Sequence, residues 1–170
     1  PNADDTHRPE RAFPSRKKVL IFSPHPDDDI ISMGGTFQRL HDQGHDVHVA
    51  YQTTGNIAVA DDEALRFAEF VVDFNEKFES PNPKANRIYK EAIKFLKNKP
   101  DSEIDITSVR EIKGLIRKGE AKNTCRFVGI KKENAHFLEL PFYETGTIRK
   151  KPIGEKDIQI VMDLIEEIQP

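Results

Sequence analysis

The spacing of hydrophobic and polar residues changes several times along the chain. Val19-Leu20-Ile21-Phe22 is a continuous apolar run within residues 17–23, the pattern of a strand buried on both faces. Ile30, Met33, Phe37 and Leu40 then recur at helical spacing up to Gly44, a residue suited to ending a helix. Val47, Val49 and Tyr51 alternate with His48, Ala50 and Gln52, which predicts a second strand running into the turn Thr53-Thr54-Gly55-Asn56. Strand, helix, strand at this spacing predicts a βαβ unit. If its strands are parallel, both strand exits share one edge of the sheet.

The middle of the chain reads as helical. Ala64, Leu65, Ala68, Val71 and Val72 form one stripe, Ile88, Ala92, Ile93 and Leu96 a second, and Val109, Ile112, Leu115 and Ile116 a third. Pro81-Asn82-Pro83 and Lys99-Pro100-Asp101 separate them, and Ser108 with Glu111 has capping-box spacing. Residues 134–140 predict a third strand, and Ile158, Val161, Met162, Ile165 and Ile168 a final helix. The alternation predicts an α/β fold with a parallel sheet. That final helix has no strand after it. Residues 1–16 open polar and punctuated by Pro1 and Pro9, like a linker from a preceding domain. Both ends lead us to expect a segment of a longer polypeptide.

At 170 residues the chain can enclose one core. A net charge of −3 with no basic excess argues against nucleic acid as a partner. The single cysteine, Cys125, excludes an internal disulfide and reads as packed. No stretch approaches the ~20 apolar residues of a membrane span, and no signal peptide opens the chain. A soluble cytoplasmic protein with no membrane partner is expected.

The chemistry concentrates in His25-Pro26-Asp27-Asp28-Asp29, directly after the first predicted strand. Ligands bind at strand exits in open α/β sheets. An imidazole beside carboxylates suits zinc or a similar divalent ion, and a spare carboxylate can act as a general base on water. Helix capping would account for one aspartate, not three. Gly34-Gly35 reads as close helix–sheet packing or room for a bulky neighbour, with backbone approach to a substrate as the alternative. His41, His45 and His48 read as solvated or second-face residues, and His136 as a packed or edge histidine. Thr54 and Asn56 suit either substrate contact or plain turn chemistry. Arg117 and Glu120 have the spacing of a surface ion pair, whereas a functional arginine would point inward at an anionic or polyhydroxylated ligand.

Together these motifs resemble the PIG-L/LmbE-like zinc-dependent de-N-acetylases. The resemblance rests on Ser23-Pro24-His25-Pro26-Asp27-Asp28-Asp29, Met33-Gly34-Gly35-Thr36, Gly44-His45-Asp46-Val47 and Thr53-Thr54-Gly55. It continues through Arg117 and Glu120 to Phe137-Leu138-Glu139-Leu140-Pro141. It implies a Rossmann-like three-layer α/β domain with a mainly parallel sheet over residues 17–170, with a helical insertion at about 79–108. It implies zinc, or another divalent metal, on His25 and Asp28, with Asp27 as the general base. Arg117, Thr54 and Asn56 would contact substrate, and Asp29 and Glu120 would support the site. The reaction implied is removal of an acyl group from an N-acetylated amino sugar or amino-sugar phosphate by zinc-activated water.

The chain also resembles the domain fused behind a glucosamine-6-phosphate deaminase-like protein. That implies covalent fusion to another catalytic domain, with a homo-oligomer left open. Asp29 stands where the family usually has Glu, and Phe142 where an acidic residue usually follows Leu-Pro. The family's second histidine motif, with the third ligand, would begin beyond Pro170, so the 170 residues alone are expected to be inactive. The competing reading is a non-catalytic sugar-binding or regulatory domain.

Overall fold

A computed structural model describes residues 16–100, 103–147 and 149–170. The linker expected over residues 1–16 lies outside these, apart from Arg16. In chain order the elements are β1 (Lys18–Ser23), α1 (Asp28–Asp42), β2 (Asp46–Tyr51), α2 (Asp61–Lys77), α3 (Pro83–Leu96), α4 (Thr107–Val128), β3 (Ala135–Phe137) and α5 (Glu155–Ile168). Short 3-10 turns at Asn56–Ala58 and Lys132–Asn134 precede α2 and β3.

The three strands form one all-parallel sheet in the order β1-β2-β3. Ile21 pairs with Val49, and Ala50 with His136. The strand period of two sends alternate residues to opposite faces. On one face Ile21, Val47, Val49 and Tyr51 meet Phe37 of α1 and Ala121, Cys125 and Val128 of α4 in the main core. On the other, Ala50 meets Leu164 and Ile168 of α5, with Leu20 and Leu138 at the margin. Helices on both faces of a parallel sheet make a three-layer α/β domain. The excursion between β2 and β3 holds α2 and α3, which pack on each other and on α4. Among the described residues no helix is long and apolar enough to cross a membrane.

The break at Pro81-Asn82-Pro83 and the helix stop at Gly44 are met, and the structure adds a cap and a second glycine stop. Asn82 caps α3 by accepting from the Ala85 N–H at 3.0 Å, with Pro83 at the first helical position. Gly44 takes φ +76° just after α1, and Gly129 takes φ +93° just after α4.

Other expectations are corrected. The third strand ends at Phe137, not at residue 140, because Glu139 adopts φ +48° and breaks the extended run. The ladder still continues loosely: Leu138 N–H bonds Tyr51 O and Leu140 N–H bonds Gln52 O, both at 2.9 Å. The Ser108/Glu111 capping box does not form. α4 begins at Thr107 with Ile106 as its flanking residue, so Ser108 is already inside the first turn. Gly34 and Gly35 do not mediate helix–sheet packing, though Gly34 does leave room for the Ile30 side chain. A Cβ at Gly35 would meet nothing within 4 Å, and one at Gly34 would meet only Ile30. The irregularity here belongs to Met33, whose φ −145° and ψ 26° kink α1.

Candidate active site

β1 delivers the His25 loop to the C-terminal edge of the sheet, and two buried side chains and a glycine fix it there. Ser23 Oγ donates to His25 O at 2.6 Å and accepts from Asp29 N–H at 3.0 Å. Thr53 Oγ1, at the end of β2, donates to Pro24 O at 2.7 Å. Gly55, in the left-handed region at φ +64°, lies against the loop from the other side: a Cβ there would come within 2.9 Å of Pro26 Cδ. The shared-edge expectation therefore holds. Parallel pairing of β1 with β2 brings the His25 and Thr54 turns into contact.

Asp28 turns back onto His25. Its Oδ2 accepts the His25 N–H at 2.9 Å and lies 3.1 Å from His25 Nδ1. Adjacent ligands of a tetrahedral zinc, each ~2.0–2.2 Å from the metal, stand ~3.3 Å apart. One imidazole nitrogen and one carboxylate oxygen, both partly exposed, therefore already have the spacing of two ligands. This donor set fits a divalent metal. It is two ligands, however, and no cluster of three or more metal-type side chains occurs among the described residues.

Asp27 lies on the other side of the loop. It is held by α4: Arg117 Nη2 reaches its Oδ2 at 2.7 Å, while Arg117 Nη1 bonds Glu120 Oε2. The Arg117–Glu120 pair is present, but Arg117 is not a surface residue, its side chain being 13% exposed. Burial works against its charge, and hydrogen bonds and attraction from Asp27 and Glu120 outweigh that, so its pKa is raised. Arg117 Nε is buried with no hydrogen-bond partner among the described residues.

Asp29 has a different role from its neighbours. It is buried, and Tyr51 OH donates to its Oδ2 at 2.8 Å, while Oδ1 has no partner among the described residues. Desolvation raises its pKa despite the Tyr51 bond. Cys125 Sγ lies 3.3 Å from the same Tyr51 oxygen, which ties the packed cysteine to this pair.

Two residues of the site were not singled out from sequence. Glu144 accepts from Thr54 N–H at 2.9 Å, from Thr54 Oγ1 at 3.0 Å and from Asn56 Nδ2 at 3.2 Å. Tyr143 stands edge-on to the His25 ring at 5.5 Å, with Lys150 Nζ over its other side at 3.7 Å. Both follow Leu140-Pro141, and the acidic function missing at Phe142 reappears two residues later at Glu144. The remaining histidines lie elsewhere. His45 Nδ1 accepts from Lys17 N–H, and His48 stacks on His136 with Nδ1 and Nε2 3.0 Å apart.

Comparisons with known proteins place the chain in a family. The family described as PIG-L, GlcNAc-PI de-N-acetylase, matches residues 20–170. A glucosamine-6-phosphate deaminase-like protein of Bacteroides thetaiotaomicron is 55% identical over 171 aligned positions. That match covers 100% of this chain, and the chain spans 26% of the relative's length. A diacetylchitobiose deacetylase of Thermococcus kodakarensis is 45% identical over 51 residues, 30% of this chain and 19% of that protein. No solved structure matches the chain. A family match over residues 20–170 shows that the chain belongs to the PIG-L family of de-N-acetylases.

Proposed function

We propose that the chain carries the metal-binding and proton-transfer half of a de-N-acetylase site acting on an N-acetylated amino sugar or its phosphate. One observation supports this most: His25 Nδ1 and Asp28 Oδ2 converge to 3.1 Å beside Asp27, at the exit of a parallel strand. His25 and Asp28 would hold the metal, with zinc the expected ion and the remaining protein ligand supplied from outside the described residues. A divalent ion bound there would supply Lewis-acid polarisation of the amide carbonyl and a lowered pKa for attacking water.

The chain's own residues would do the rest. Asp27 takes the proton from the attacking water and delivers it to the leaving amine. Arg117 fixes the direction of the Asp27 carboxylate. Thr54 and Asn56 present hydroxyl and amide groups toward the sugar, with Glu144 orienting both. Ser23 and Thr53 keep the loop from relaxing, which matters because catalytic groups lose rate when displaced by about 1 Å.

We further propose that the chain works while covalently joined to another catalytic domain, in line with its 26% share of the Bacteroides relative. A sugar-binding or regulatory role is the second reading, favoured by there being only two converging ligands among the described residues. Metal analysis and acetate release from N-acetylglucosamine separate the two, measured on these 170 residues and on the complete gene product. The deacetylase reading expects about one zinc and turnover in the complete product. Sugar binding with neither metal nor turnover would establish the second reading.

A further inference from the structure

The groove that begins at Thr54 and Asn56 continues along α4. It encloses about 440 Å³, with Glu144, Gly114, Lys118 and Arg110 among its walls. Arg110, Gly114 and Arg117 stand three or four residues apart and so share one helix face. Gly114 keeps the middle of this wall open; a Cβ there would lie 3.4 Å from Thr54 Cβ. Arg110 is two turns from Arg117, about 10 Å along the axis.

The groove's cations differ in their partners. Lys118 lies over the Phe137 ring at 4.6 Å and 3.9 Å from Glu139 Oε1. Arg110 bonds only the Thr107 hydroxyl, at 3.3 Å, and has no carboxylate partner among the described residues. It is held in place nonetheless. Its guanidinium rests on the backbone at Gly146, where a Cβ would come within 2.8 Å of Arg110 Cζ and the φ of +76° itself favours glycine. The acids of the groove do not neutralise it. Glu144 is taken by Thr54 and Asn56, Glu139 is nearest Lys118, and Glu111 lies about 100° round the helix from Arg110. A guanidinium held in place with no carboxylate partner among the described residues, at the far end of the groove, matches a phosphate better than a neutral hydroxyl.

We infer that this groove selects a phosphate monoester on the substrate's sugar, with Arg110 binding the phosphate while the amide faces His25, Asp27 and Asp28. The inference rests on the deacetylase reading above and narrows its substrate to an amino-sugar phosphate.

The test compares N-acetylglucosamine with its 6-phosphate, following acetate release by the complete gene product, wild type and Arg110→Gln. The wild type should prefer the phosphorylated sugar in kcat/KM by about 10- to 100-fold, the range of charge-assisted hydrogen bonds. Arg110→Gln should erase that preference and leave kcat/KM for the unphosphorylated sugar unchanged, which also controls for folding. Equal use of both sugars by the wild type overturns the inference while leaving the deacetylase reading intact. A variant weakened equally toward both sugars overturns it too, because Arg110 would then serve the fold or the sugar ring. Acetate from neither sugar removes the inference together with the substrate class on which it rests.

Discussion

Two ion clusters sit four residues apart on α4, and they are built in opposite ways. At Lys113 the cluster is closed. Lys113 Nζ bonds Asp61 at 2.5 Å and Asp105 at 2.7 Å, and Lys99 Nζ bonds the same two carboxylates at 3.1 and 2.6 Å. Two cations and two anions satisfy one another, and Lys113 is only 5% exposed. At Arg117 the cluster is open. Its carboxylates, Asp27 and Glu120, are 38% and 48% exposed, against 40% and 13% for Asp61 and Asp105, and Arg117 Nε has no partner among the described residues. The ring ties together α2, α4 and the segment between α3 and α4. The open cluster faces the His25 loop. A closed set of charges has no capacity left for a ligand, whereas an open one does.

The largest effects should come from the open cluster and should be catalytic. In the complete gene product, Asp27→Asn is expected to lower acetate release by about 10²–10⁴-fold, the usual range for a general acid–base group. It should keep its metal, because His25 and Asp28 remain. His25→Ala should lose metal and activity together. Metal content measured beside turnover checks the division of labour, and equal metal loss in both variants would make Asp27 a ligand.

The closed ring should respond in stability instead. Lys113→Met leaves Asp61 and Asp105 sharing Lys99 alone. Breaking a buried ion cluster from one side is expected to cost about 3 kcal/mol. Arg117→Met, removing a cation neither of whose partners is as buried as the 13%-exposed Asp105 of the ring, should cost less, about 1 kcal/mol. Urea denaturation midpoints of the two variants test the contrast, and a larger loss at Arg117 would reverse it.

These clusters also show what could be read from sequence. The β1-α1-β2 unit was legible because its strands and helix follow their own periods and its signals are local: a buried apolar run, a helix stripe, a stop at Gly44. His25, Asp27, Asp28 and Thr54 were legible for the same reason, each lying within a few residues of a strand exit. Glu144 was not, since its partners Thr54 and Asn56 are 90 and 88 positions away and its loop has no periodicity. The Lys99–Lys113 ring was invisible likewise, because each charge alone looks like a solvated surface residue. Arg117 fell between the two cases. Its spacing to Glu120 suggested a surface pair, and only the packing of α4 on the sheet reveals that it turns inward to Asp27. Glu139 shortened the third strand through a backbone conformation that residue type does not signal.

A smaller effect concerns the pH range over which the ring contributes. Burial would raise the Asp61 pKa, but hydrogen bonds from Lys113 and Lys99 overcome this and lower it below 3.8. Burial would lower the Lys99 pKa, but Asp105 and Asp61 raise it above 10.5. The Asp61 contribution is therefore present above pH 3.8 and lost as pH falls through its lower folded value. The Lys99 contribution is present below pH 10.5 and lost as pH rises through its higher folded value. The stability gap between wild type and Lys113→Met should be flat through neutral pH and narrow in acid. A gap that widens in acid would show that the ring does not hold Asp61 ionised.

Asp29 supplies the last test, and it lies between the two designs: buried like the ring, incompletely partnered like the open cluster. Tyr51→Phe removes the hydroxyl that donates to Asp29 Oδ2 and leaves both carboxylate oxygens without a side-chain partner. Leaving a buried acceptor unsatisfied is expected to cost about 1–3 kcal/mol. Its pH dependence should run opposite to that of the ring. Burial holds the Asp29 pKa above 3.8, and the Tyr51 bond is among the factors pulling it back down. A raised folded pKa means that the folded state binds the proton more tightly than the unfolded chain, so stability is gained as pH falls toward 3.8. Without Tyr51 that shift grows. The penalty of Tyr51→Phe should therefore be greatest at neutral pH, where Asp29 must be ionised without the Tyr51 donor, and shrink as acid protonates it. Denaturation of both proteins across the acid range reads this directly. A penalty independent of pH would mean that the Tyr51 hydroxyl stabilises the core through Cys125 rather than through Asp29.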